Sequence, residues 1–204
     1  MPKVCLHFRG LETRIQALTA KFVVDQLVAE AADPMAHVPD LDRLAAFRLL
    51  AHAEVEEFLE AKAKEGLVAL TASINVPARK VSAFPEVFVL AHALGKQLTV
   101  SWPFDPARFM AEVHETVRTA EKAIADNNGV KGTSYFLLSL MAGKYPDEID
   151  PSLGASLTSY GKSRGDVAHQ SVARVRTLQA PSAEAKAIND LAKALASYFD
   201  VSST

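Results

Sequence analysis

From Leu41 to Thr71 the chain reads LDRLAAFRLLAHAEVEEFLEAKAKEGLVALT, with no proline and with Asp40 directly before it as a helix cap. This is one long helix, and it limits the fold to architectures that cover a helical stripe. The rest of the chain supplies mostly further helices. LETRIQALTAKFVVDQLVAEAA runs from Leu11 to about Ala32 and stops at Asp33-Pro34. A shorter helix spans about Pro85 to Leu94 and ends at Gly95. Asp105-Pro106 and Asp150-Pro151 each place a capping carboxylate before a proline at the first helical position, and so open two more. Between them lie the turn Asn127-Asn128-Gly129 and a short helix, TSYFLLSLMAG. Pro181 to Phe199 forms a last amphipathic helix, and the polar residues after it suggest fraying. KQLTVSWPF fits a short strand or an extended loop, and Asn75 to Phe84 reads as an irregular linker. The expectation is an all-α, up-and-down helical bundle with additional helices, in a single domain over residues 1–204.

Composition excludes several classes. With 49% apolar and 23% charged residues the chain is that of a soluble globular protein. A net charge of −2 gives no global attraction to nucleic acid, so any such binding rests on a local patch. Cys5 is the lone cysteine, which precludes an internal disulfide and fits a reducing cytoplasm. No secretory leader is legible, and the most apolar runs fall short of the roughly 20 residues a membrane helix needs.

Within the helix opened by Pro151, the stretch Ser163-Arg-Gly-Asp-Val-Ala-His169 is the anomaly. At about 100° per residue, Leu153, Leu157, Tyr160, Val167 and Val175 form one stripe with Arg164 in its middle. A guanidinium facing a core requires a carboxylate, a wet cleft or a second chain. On the long helix, Leu44, Phe47, Leu50, Ala51 and Phe58 form the stripe and Glu54 sits inside it, so Glu54 is the expected partner that orients Arg164. His169 lies about 140° around the wheel from Arg164, on a different face.

Arg164-Gly-Asp-Val-Ala-His169 resembles the Arg-x4-6-His signature of HEPN domains. The similarity extends upstream: DNNGVKGTSYFLLSLMAGKYPDEIDPSLGASLTSYGKSRGDVAHQ resembles the C-terminal half of the RiboL-PSP-HEPN branch, and AHAEVEEFLE, from Ala51 to Glu60, resembles its second-helix segment. The resemblance implies an all-α bundle that forms a homodimer and brings two Arg-His motifs to a shared cleft. It also implies a metal-independent endoribonuclease of toxin–antitoxin, phage-defence or RNA-processing settings, with an antitoxin or defence protein as partner. Many active members carry Asn, Asp or His directly after the arginine, where this chain has Gly165. Some members only bind, so a non-catalytic module for RNA, nucleotide or a partner protein is the alternative.

The chemistry suits those residues. RNA carries its own nucleophile, the 2′-hydroxyl, so no metal or other cofactor is required. Histidine, with a pKa near 6.5, suits the proton transfers. Arginine stays charged and can grip two phosphate oxygens. The expected products are a 2′,3′-cyclic phosphate and a 5′-hydroxyl, with DNA inert. The catalytic candidates are Arg164 and His169, supported by Glu54 and by Asp166, which tunes His169 or caps a turn. Lys162 and Asn128 are candidate substrate contacts, and Lys162, Arg164, Arg174 and Arg176 together form a phosphate-contacting flank or a solvated face. His52 and Glu56 stand one helical turn apart, but the pair lacks HExxH context or a nearby third ligand.

Overall fold

The computed structural model describes residues 2–76, 80–169, 175 and 177–204, with the backbone alone at 80–83 and 169. It is all-α, 74% helical. Among the described residues the helices are α1 (Leu6–Phe22), α2 (Val24–Ala32), α3 (Leu41–Ile74), α4 (Lys80–Ala93), α5 (Pro106–Ala125), α6 (Gly132–Met141), α7 (Pro151–His169) and α8 (Pro181–Phe199). Two two-residue strands, β1 (Lys3–Val4) and β2 (Val201–Ser202), complete the elements apart from a 3-10 turn at Pro146–Glu148. The chain packs as two compact units: Met1–Phe58 with Gly129–Gly132 and Asp150–Thr204, and Leu59–Asn128 with Thr133–Ile149.

In the first unit α8 packs against α1, α2 and α7. Its core takes Phe8, Leu11 and Ile15 from α1, Leu44, Phe47, Ala51 and Val55 from α3, Leu153 and Leu157 from α7, and Ile188 and Leu195 from α8. Phe58 stands edge-on to both Phe8 and Phe199, with centroids 5.9 and 5.6 Å away. Past α7, Val175 is buried with Val167 and Ala45. The second unit buries Leu67 and Leu70 of α3, Val87 and Leu90 of α4, Val113 and Ile124 of α5, and Leu138 and Met141 of α6.

The capping signals fold as read. Asp40 accepts from the Arg43 N–H, Asp105 from Ala107 and Arg108, and Asp150 from Ser152 and Leu153. Gly95 closes α4 with φ +68, and the Lys96 N–H donates back to Ala91. Three details differ from expectation. The first helical segment starts earlier, at Leu6, and breaks at Val23, where the Gln26 amide donates to the freed Phe22 carbonyl and makes the break tolerable. α4 begins at Lys80 and carries Pro85 inside it, so part of the expected linker is helical; residues 77–79 lie outside the described residues. Of the two forms open to KQLTVSWPF the loop is the one found, with the Thr99 N–H donating to Glu112. The C-terminus is not frayed, because β2 pairs in parallel with β1, Lys3 opposite Val201. Ordered backbone partners outweigh the polarity of those side chains.

Candidate functional site

The long helix brings polar side chains into the first unit's interior at helical spacing. Arg48 and His52 lie one turn apart on α3, 3% and 1% exposed. Arg48 spends all its donors inside the protein. Its Nε donates to Glu184 Oε2 at 3.0 Å, and a short second bond joins Nη2 to Oε1. The other bonds run from Nη1 to Thr177 Oγ1 (3.1 Å) and Ser163 O (3.4 Å), and from Nη2 to Thr177 O (2.7 Å). Glu184 Oε1 also accepts from the Gln179 N–H at 2.8 Å. The pair therefore ties α3 and α8 to the segment between α7 and α8.

His52 is placed differently. Its ring lies parallel to that of Tyr160 on α7, centroids 6.0 Å apart. Both ring nitrogens are buried without a hydrogen-bond partner among the described residues, and Glu56 Oε2 stands 3.9 Å from Nδ1, beyond hydrogen-bond reach. Burial, and then the charge of Arg164, push its pKa down to about 4. His52 is thus a neutral imidazole at pH 7. Among the described residues no third ligand joins His52 and Glu56 in a group that could hold a metal.

Two glycines let the backbone close on this ring. Gly129, at φ +91, completes the Asn-Asn-Gly turn and donates its N–H to Glu56. A Cβ there would stand 4.0 Å from both Arg164 Nη1 and His52 Cε1, so the turn borders the two side chains together. A Cβ on Gly161 would meet Val130 O at 2.5 Å and His52 Nε2 at 3.3 Å, so only glycine permits α7 to lie this close to the turn.

Arg164 is half-buried, and its Nε is enclosed with no hydrogen-bond partner among the described residues. Glu54 does not orient it. That carboxylate accepts from Arg14 Nε on α1 at 2.9 Å, because its place on α3 turns it to the flank that α1 covers. Leu50, assigned to the same inward stripe, is 41% exposed. On α7 the expected stripe is inward, with Leu153, Leu157 and Val167 buried. Asp166 is half-buried, Lys162 exposed, and Asn128 exposed in the connection before Gly129. His169 is the last residue of α7; its side chain, with Arg174 and Arg176, lies outside the described residues.

The grouping of Arg164, His52, Gly129 and Glu56 is what sequence reasoning missed. His52 and Glu56 were visible as an i, i+4 pair, and Arg48 one turn earlier on the same face was the further signal. A guanidinium whose Nε has no hydrogen-bond partner among the described residues, beside an uncharged imidazole, suits an anionic oxygen better than a cation or an acid. The helices include none long and apolar enough to cross a membrane, among the described residues. No protein-family model, no curated protein and no solved structure matches the chain.

Proposed function

We propose that this chain is a HEPN-type, metal-independent endoribonuclease in which Arg164 holds the scissile phosphoryl group and His169 moves the protons. One observation carries the reading: Arg164 is retained on the inward stripe of α7 with an enclosed Nε that has no hydrogen-bond partner among the described residues. A guanidinium in that state bears a desolvation cost that a visiting phosphate oxygen would relieve. The neutral His52 beside it adds no charge of its own next to the guanidinium. Homodimerisation, which would bring two such arginines to one substrate, belongs to the same proposal, as does an antitoxin or defence partner.

Incubation of the purified protein with RNA in EDTA tests it. The expected result is cleavage to 2′,3′-cyclic phosphate ends, with DNA untouched. Arg164→Ala, folded by circular dichroism, should lower the rate by about 10²–10³, the worth of one charged donor at a transition state. His169→Ala should lose cleavage as well. RNA bound but uncut by the wild-type protein would favour the non-catalytic module; RNA neither bound nor cut would end both readings.

A further inference from the structure

Holding a phosphoryl group takes more than charge: the guanidinium must also point at it. An arginine side chain spreads over many rotamers unless its surroundings confine it. Arg48 is confined by its bonds to Glu184, Thr177 and Ser163. Arg164 is confined in another way, since its Nε has no hydrogen-bond partner among the described residues and Glu54 is taken up by Arg14.

The backbone at Gly129 and Val130 borders it. That stretch meets α7 at two neighbouring places. Val130 O lies 2.5 Å from where a Cβ on Gly161 would stand, and a Cβ on Gly129 would stand 4.0 Å from Arg164 Nη1. Gly161 and Arg164 are three positions apart, hence neighbours on the helix surface. The same stretch is tied to α3, because the Gly129 N–H donates to Glu56 Oε1. The other oxygen of that carboxylate stands 3.9 Å from Nδ1 of His52, the ring that also borders Gly129.

The tie matters for two reasons. Gly129 is buried, so its N–H needs an acceptor, and a carboxylate gives a stronger bond than a neutral group. Gly129 is also the residue type with the least backbone restraint, held at a φ of +91 that glycine alone adopts freely. Without Glu56 the freed N–H would seek another partner, and a glycine turn can move to find one. The wall beside Arg164 Nη1 would move with it.

We propose that Glu56 is a positioning residue for Arg164: by accepting the Gly129 N–H it fixes the backbone that walls the guanidinium, and so sets where Arg164 presents its nitrogens. The phosphoryl ligand at those nitrogens rests on the ribonuclease reading; the ordering of Arg164 does not.

The test compares the full chain with Glu56→Ala, which removes the acceptor, and Glu56→Gln, which keeps an acceptor oxygen and drops the charge. The Gly129 amide and the Arg164 Nε–H are followed by nitrogen–proton NMR, the latter assigned by its absence from Arg164→Ala. In Glu56→Ala both signals should shift and exchange with solvent about tenfold faster, the worth of one hydrogen bond, whereas Glu56→Gln should keep both near their wild-type positions. RNA cleavage in EDTA, well below the melting point of each variant, supplies the kinetic arm. Glu56→Ala should lower kcat by about 10–10²-fold with KM changed less than about threefold, and Glu56→Gln should recover most of the rate. A Gly129 amide that shifts while the Arg164 signal does not, or a Glu56→Gln as impaired as Glu56→Ala, overturns the proposal. Should Glu56→Ala not fold, Glu56→Asp withdraws the carboxylate by one methylene; the same loss is expected, and unchanged signals overturn the proposal. Wild-type cleavage that Glu56→Ala leaves unaltered would overturn the positioning role and keep the ribonuclease. Arg164 signals that move as expected in a protein that cuts no RNA would do the reverse.

Discussion

Replacing His52 with leucine isolates the electrostatic cost of enclosing an imidazole beside Arg164. The ring is 1% exposed, its two nitrogens have no hydrogen-bond partner among the described residues, and the charged groups facing it are Arg164 and, 3.9 Å from Nδ1, Glu56. Its pKa of about 4 lies below the ordinary 6.5, so as pH falls the unfolded chain takes up the proton before the folded one does. The stability this group confers is complete above pH 6.5 and drains away as pH falls toward 4. Relative to neutral pH the loss is about 2 kcal/mol at pH 5 and about 3 kcal/mol at pH 4. At pH 7.5 the leucine variant should lie within about 1 kcal/mol of wild type, because no hydrogen bond is removed. Urea unfolding of both proteins at pH 7.5, 6, 5 and 4.5 measures the difference, and the variant should become the more stable protein as pH falls. Other titrating groups are common to both and cancel. Parallel stability curves over that range would show that His52 is not held neutral, and the electrostatic account of the Arg164 neighbourhood would fail with it.

Two further perturbations probe the frame around the site. Arg48→Ala leaves Glu184 as an uncompensated buried charge and should cost about 3–5 kcal/mol in denaturant unfolding. The double variant Arg48→Met/Glu184→Leu should recover most of that, and a loss below about 1 kcal/mol in the single variant would refute the tie between α3 and α8. Gly161→Ala adds helix propensity worth about 1 kcal/mol but drives a methyl into Val130 O. The expected net is a loss of about 1–3 kcal/mol, read as a melting point lower by several degrees. An unchanged or higher melting point would mean the close approach of α7 to the turn is not required.

Local chemistry made the helices legible. Asp40, Asp105 and Asp150 cap the helices that follow because a carboxylate meets N–H groups only a few residues away, and Gly95 ends α4 because it alone adopts that φ without strain. The buried positions of α7 followed from its period. Local rules erred at the polar C-terminus because a distant element, β1, supplied the deciding backbone partners.

For the site, the chain by itself determined that a guanidinium would sit at Arg164 on an inward stripe, since that depends only on residue type and helical period. Only the tertiary structure decided what surrounds it. Glu54 and Glu56 are two positions apart on one helix, yet one turns to Arg14 and the other accepts the Gly129 N–H. Arg48 finds its carboxylate far along the chain in Glu184, while Arg164 is left beside a neutral His52. A helical wheel gives the direction of a side chain but not the element that meets it, and that meeting sets which charges are neutralised, which imidazole loses its proton and which polar atoms remain without a partner.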